Sequence, residues 1–152
     1  MSRRQILKTR FINPDPFYDS ILIQKIINQI MKKGKKILAY QLLNQVIEEI
    51  EKITQQDPIQ IIEQAIQNAA PAVEIKARRI GGAVYSIPIE LSSERSISIA
   101  IKWILNTCNS KSGRPFVDKL TSELIDASKK VGSVIRRRDE VHRIAESNTR
   151  LI

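Results

Sequence analysis

The chain is poor in the residue types from which most small catalytic and metal sites are built. Its single cysteine, Cys108, excludes an internal disulfide framework and any multi-cysteine zinc or iron–sulfur centre, and suits a reducing compartment. Its single histidine, His142, lies in a charged stretch without a nearby cysteine. The common zinc and Cys–His arrangements are therefore missing, and a helix-surface or interface role is expected of it. There is no GxxxxGK[ST] phosphate loop, because Gln29 stands where the first glycine would be and Lys36 follows Gly34-Lys35. Aromatic residues make up only 5% of the sequence, and Trp103 and Tyr40 fall in helical patterns where packing is the expected role. No apolar run approaches the roughly 20 residues of a bilayer span. Residues 1–15 alternate basic and apolar side chains without a signal-peptide core, so a soluble protein that neither is secreted by that route nor binds membranes is expected. No enzyme activity, cofactor or metal is expected.

Positive charge is what the chain has in excess. Lys and Arg number 25 against 16 Asp and Glu, for a net charge of +9 that attracts polyanions. With 152 residues, 42% of them hydrophobic, the expectation is one globular domain over residues 1–152. Ile occurs 27 times and Leu 10 times, a bias that AT-rich coding DNA produces without structural demand.

Residues 1–18 carry Arg3, Arg4, Lys8 and Arg10, then Pro14 and Pro16, with no sustained apolar period, and read as an extended basic arm that orders on a partner. A helical period begins at Ser20. Ile23, Ile26, Ile27, Ile30 and Met31 define helix one over about 20–33, with Gly34 available to end it. Ala39, Leu42, Leu43, Val46, Ile50 and Ile53 form one stripe of helix two, residues 35–53. Asp57-Pro58 with Gln60 gives an N-cap, a first-turn proline and a capping-box partner for helix three, about 58–70 before Pro71.

The period then changes to two, and residues 72–90 read as a β-hairpin turning at Gly81-Gly82. In that register Arg78 faces Tyr85, Lys76 faces Ile87, and Pro88 restricts the second strand to an edge. Residues 92–148 return to helices. Helix four is capped by Ser92 or Ser93 and carries Ile97, Ala100, Ile101, Ile104, Leu105 and Cys108. Helix five opens at Pro115 and runs to about Lys130 on Val117, Leu120, Leu124 and Ala127. Helix six is capped by Ser133, with a thin stripe of Val134, Val141, Ile144 and Ala145. The fold class is thus mainly α, a six-helix bundle with a protruding two-stranded antiparallel ribbon between helices three and four.

The cations gather in places. Lys32, Lys33, Lys35 and Lys36 flank Gly34 between two helices. Helix-dipole complementation accounts for the first two, whereas the last two begin helix two, where the dipole disfavours cations and an exposed N-terminus seats phosphate. Lys76, Arg78 and Arg79 beside Tyr85 make the ribbon a basic arm able to reach into a groove, beyond what protection of an edge strand requires. Arg136, Arg137 and Arg138, with Arg143 partly on their face, suit either a solvated surface or a contact. Asp139-Glu140 beside them suit intrahelical salt bridges. Residues 53–70 hold Asp57 and Glu63 and no cation, so helix three is expected to turn from the polyanion or to meet another protein.

Pro14-Asp15-Pro16, Gly34-Lys35-Lys36 with Ala39-Tyr40, Lys76-Ala77-Arg78-Arg79-Ile80-Gly81-Gly82, Pro88-Ile89-Glu90, Ile101-Lys102-Trp103 and residues 138–146 (RDEVHRIAE) occur in this order. In them the chain resembles ribosomal protein seven of the small subunit, bacterial and organellar type, from Ser2 to Asn148. The resemblance implies a non-catalytic protein that binds the 3′ domain of small-subunit ribosomal RNA and nucleates assembly of the head. By position it assigns Arg3, Arg4, Lys8, Arg10, Lys35, Lys36, Arg95 and Lys102 to that RNA. It assigns Arg78, Arg79, Gly81, Gly82 and Tyr85 to a ribbon tip near the exit-site tRNA and the mRNA path. Lys32, Lys76, Lys111, Arg114, Arg136, Arg137 and Arg143 complete the candidate rRNA-contact set. Ribosomal proteins of the head and platform are the implied neighbours. Ser86 replaces a residue that is often Gln, and the longer tail usual in bacterial members is not expected after Ile152. A plastid-encoded member, in stromal ribosomes, is the expectation, with the bacterial cytoplasm second. Apart from the resemblance, helices plus a basic ribbon also suit a dimeric architectural DNA-binding protein, although Gly81-Gly82 supplies no apolar wedge.

Overall fold

A computed structural model describes residues 11–149. Six helices and one two-stranded antiparallel sheet follow one another as α1 (Ile21–Ile30), α2 (Lys36–Thr54), α3 (Pro58–Ala69), β1 (Val73–Ile80), β2 (Ala83–Glu90), α4 (Ser93–Ser110), α5 (Phe116–Ser128) and α6 (Ser133–Thr149). The mainly α bundle with a ribbon between its third and fourth helices is the architecture that the periodicities predict.

α5 lies at the centre, packed on α2, α3 and α4, while α6 closes the bundle and meets both strands. The core is rich in isoleucine, with Ile23, Ile27, Ile50, Ile62, Ile66 and Ile101 buried alongside Leu43, Val46 and Leu120. Each fully buried chain of that size stabilises the fold by roughly 1.5–3 kcal/mol relative to exposure.

The departures from periodicity have local causes. α1 stops at Ile30 rather than near residue 33, because Met31 leaves helical dihedrals while its N–H still bonds Ile27 O. The reversal that follows uses two left-handed residues, Lys33 (φ 53°) and Gly34 (φ 75°). Lys32 and Lys33 thus lie outside α1, and their expected place in its last turn is corrected. In α2 the buried stripe is Ala39, Leu43, Val46, Ile47 and Ile50. Ile53, expected in it, is 65% exposed, about 60° round the axis from Ile50 in the final turn. Asp57 caps α3 by accepting from Ile59 N at 3.0 Å, but the return bond from Gln60 is not among the hydrogen bonds of the described residues.

α5 ends at Ser128, two residues early, as Lys130 turns left-handed at φ 60°. Ser133 does not cap α6; its hydroxyl donates to Glu123 Oε1 at 2.6 Å. Along α6 Ile135 is buried, and Ile144, expected in the stripe, is 37% exposed. The end of the supposed extended arm is also folded. Asp15 is 1% exposed and its Oδ2 accepts from Phe17 N and Tyr18 N, both at 3.1 Å, so residues 14–19 form a turn packed on the bundle.

Candidate nucleic-acid interface

Two hollows share Gln29 and lie on either side of one face of α4. That face follows from spacing: Arg95, Ser98, Lys102, Asn106 and Asn109 recur at three- and four-residue intervals opposite the buried stripe of Ala100, Ile101, Ile104, Leu105 and Cys108. The periodicity of the apolar residues defines the buried side, and the polar stripe is its complement. Sequence reasoning named Arg95 and Lys102 but missed Ser98, Asn106 and Asn109, although the α4 spacing carries them, and Gln29 of α1, which only the fold brings to both hollows.

The first hollow, about 680 Å³, is a groove between the ribbon base, α4 and α6, lined by Arg95, Lys102, Trp103, Asn106 and Arg137 among others. Arg137 stacks over Trp103 with its guanidinium carbon 5.2 Å from the ring centroid, so Trp103 both packs on the core and holds a cation at the groove wall. Arg95 is engaged from the other side, as its Nε and Nη2 donate to the Glu74 carboxylate at 2.8–2.9 Å. Lys76 Nζ lies 4.0 Å from the same carboxylate.

The second hollow, about 450 Å³, has an apolar floor of Met31, Leu38, Leu42, Leu105 and Phe116 and is rimmed by Lys32, Lys33 and Lys35. Here α2 begins with Lys35 as N-cap and without a side-chain cap; the Lys36 N–H bonds Gly34 O at 2.9 Å, while those of Ile37 and Leu38 have no partner among the described residues. Such a terminus attracts anions through its dipole and its free donors. Lys36 leans over the Tyr40 ring, Nζ 5.7 Å from the centroid. Burial, then Asp15, raises the Tyr40 pKa. Its hydroxyl donates to Gln24 Oε1 at 2.9 Å, and by the same geometry buried Asp15 Oδ1 has no hydrogen-bond partner among the described residues.

The ribbon pairs Arg78 with Tyr85 and Lys76 with Ile87, the register expected from the sequence, and Gly81 (φ 58°) and Gly82 (φ 89°) form its turn. Because side chains alternate along a strand, Arg78 and Tyr85 occupy one face and Arg79 and Val84 the other. Lys76–Arg79 and Gly81–Ser86 are exposed, so the outer ribbon projects beyond the bundle with cations on both faces. Its base is fixed by Ser96 Oγ donating to Pro71 O at 2.6 Å and by Ala72 N donating to His142 Nε2 at 3.1 Å. His142 is thereby an interface residue between α6 and the ribbon.

The three consecutive arginines of α6 separate. Arg137 enters the groove, Arg138 donates to Asn68 O and to Asp139 Oδ1, and Arg136 is exposed on the side shared with Arg143. The Arg138–Asp139 pair is one of the expected intrahelical bridges. Lys111 is tied to buried Glu123 at 3.0 Å, while Arg114 is exposed in the loop before α5. Arg3, Arg4, Lys8 and Arg10 lie outside the described residues. Among the described residues no group of three or more His, Cys, Asp or Glu could hold a metal. Cys108 is buried, and burial, then Glu123, pushes its thiol up to about 12.

The sequence profile of the family described as ribosomal protein S7p/S5e matches residues 2–149. The chain belongs to that family. It is 51% identical to small ribosomal subunit protein uS7c of Chlorella vulgaris over 148 residues, covering 97% of this chain and 95% of that protein. It is 44% identical to uS7c of Bigelowiella natans, covering 100% and 97%, and 46% identical to uS7 of the cyanobacterium Acaryochloris marina, covering 97% and 95%. Family membership makes the chain a structural ribosomal protein of the small subunit, with ribosomal RNA and other ribosomal proteins as partners. Its relatives place it with the plastid type, as the isoleucine bias suggests. The DNA-binding alternative is thereby set aside.

Proposed function

We propose that the chain binds the 3′ domain of small-subunit ribosomal RNA directly, nucleates assembly of the head, and carries its ribbon to the exit-site tRNA and the mRNA path. The observation that carries this reading is the clustering of cations around one face of the bundle. The lysine corner at the start of α2 and the Arg95, Lys102 and Arg137 groove are continuous through Gln29. A folded RNA junction can meet both at once, through its backbone and shape more than through base edges. Arg114, Arg136, Arg143 and the arm cations Arg3, Arg4, Lys8 and Arg10 extend the same set, and Lys32, Lys76 and Lys111 border it. In this reading residues 1–152 act as one domain, and the outer ribbon, with Arg78, Arg79, Gly81, Gly82 and Tyr85, reaches past the rRNA.

Crosslinking in native ribosomes tests it. Probes at Lys35 and Lys36 are expected to label ribosomal RNA, and probes between Arg78 and Tyr85 to label tRNA or mRNA. Label at Lys35 and Lys36 confined to protein would overturn the rRNA assignment, and a ribbon that labels neither RNA would overturn the second.

A further inference from the structure

The turn that precedes α1 leaves large apolar side chains uncovered: Phe17 is 75% exposed, and Tyr18 and Ile21 are exposed with it. Phe17 meets Tyr40 edge-on, centroids 6.3 Å apart with planes at 70°, which lays the turn against α2. From Tyr40 the same side of α2 continues through Asn44 and Glu48 to Glu51, at spacings of four, four and three. Glu48 and Glu51 are exposed and, like most acidic residues here, form no ion pair among the described residues. The Tyr18 phenol is raised in pKa by burial first, then by Asp15, Glu48 and Glu51, so the carboxylates stand near the aromatic turn. On a chain of net charge +9, this places two exposed carboxylates, with Lys52 one turn on from Glu48, beside uncovered rings.

We propose that this aromatic and acidic face docks a basic, lysine-bearing segment of a neighbouring ribosomal protein. The proposal rests on the reading of the chain as a small-subunit protein and assigns one of its protein contacts to a surface. Carboxylates without a cationic partner repel phosphates and attract ammonium and guanidinium groups, which also seat well on the faces of Phe and Tyr rings. The chain's own arm is the competing occupant, since ten extended residues reach roughly 33 Å, but its cations Arg3, Arg4, Lys8 and Arg10 are the ones assigned above to ribosomal RNA. It joins at Phe11, which lines a hollow with Pro14, Asn28, Lys36 and Tyr40, at the opposite end of α2 from Glu51. The 15 residues from Lys36 to Glu51 span roughly 22 Å of helix.

Zero-length carboxyl–amine coupling in intact small subunits, read by peptide mass spectrometry, tests the proposal. The expected product joins Glu48 or Glu51 to a lysine of a second ribosomal protein. In subunits carrying Glu48→Gln with Glu51→Gln that product disappears. Incorporation of the joined protein weakens roughly fivefold to tenfold, as for two rim ion pairs, while rRNA affinity and its salt dependence stay unchanged. Coupling to Lys8 of the same chain, absence of any product from Glu48 and Glu51, or a photoreactive group at position 17 that labels rRNA would each overturn it. Failure of the unaltered chain to bind rRNA would instead defeat the function proposed above, whereas missing coupling products with rRNA binding intact defeat only this surface.

Discussion

Arg95 at the start of α4 and Glu74 on β1 form a two-pronged ion pair, with Arg95 Nη2 2.8 Å from both carboxylate oxygens, across the mouth of the cationic groove. Both side chains reach solvent, so the pair contributes at most about 1 kcal/mol to folding. Its larger effect is on the field of the groove, where one carboxylate offsets Arg95 and Lys76 together. Glu74→Gln is therefore expected to leave the unfolding free energy within about 1 kcal/mol. It should raise affinity for the isolated rRNA domain roughly twofold to fivefold at low salt, an advantage that screening removes at high salt. Filter binding across a salt series checks this, and an unchanged low-salt affinity would show that Glu74 does not compete with RNA for these cations.

The turn from α5 to α6 depends on Gly132, which adopts φ 103° and would place an added Cβ 3.3 Å from Asp126 Cβ. Gly34, at φ 75°, has nothing within 4 Å of that position. Gly132→Ala combines backbone strain with crowding and is expected to cost about 1–3 kcal/mol, against about 1 kcal/mol for Gly34→Ala. Urea unfolding of both variants should preserve that order. Equal losses would mean that Asp126 yields without cost.

How much of this was legible in the sequence depended on how local the cause was. The ribbon register, Arg78 opposite Tyr85, follows from a period of two and a Gly-Gly turn, both read within a few residues. The end of α1 was misread because the reversal uses Lys33 as well as Gly34 in the left-handed region, and a lysine does not announce that conformation. Burial of Asp15 depends on the turn at Phe17 and Tyr18 and on Tyr40 in another helix, so a Pro-Asp-Pro segment reads as extended until the bundle is known. The cationic face was half visible: spacing on α4 places Arg95 beside Lys102, but its pairing with Glu74 and that of Lys111 with Glu123 join positions 21 and 12 residues apart.

Cys108 makes stability depend on alkaline pH. Its folded thiol is pushed up to about 12 from an ordinary 9.0 by burial and by Glu123. The unfolded chain therefore loses this proton first, and the stabilisation, complete below about pH 9, declines as pH rises toward the folded value, by up to about 1.4 kcal/mol per unit. The raised phenols of Tyr18 and Tyr40 act with the same sign, so the comparison must be made against Cys108→Ala. Unfolding free energies measured between about pH 8 and pH 11 should fall more steeply for the natural chain than for that variant. Thiol reagents should leave the native protein unlabelled and modify it once denatured, and parallel slopes would show that the thiol ionises alike in both states.

The last prediction separates the two RNA-facing regions. Each phosphate neutralised by a lysine contributes about 0.9 to the slope of log affinity against log salt on a duplex. Lys35 and Lys36 are exposed where α2 begins without a side-chain cap, so Lys35→Ala with Lys36→Ala is expected to flatten that slope by about 1.5–2 and weaken binding roughly tenfold per lysine near 0.1 M salt. The substitutions should change folding stability little, beyond about 0.5 kcal/mol for the loss of Lys36 from the Tyr40 ring. Arg78→Ala with Arg79→Ala removes the same charge from the outer ribbon, on opposite faces of an element that projects past the bundle. That pair is expected to leave the slope on the isolated rRNA domain nearly unchanged and to reduce exit-site tRNA occupancy in assembled subunits. If both pairs flattened the slope equally, the ribbon would be a second rRNA anchor, and the division of labour between corner and ribbon would fall.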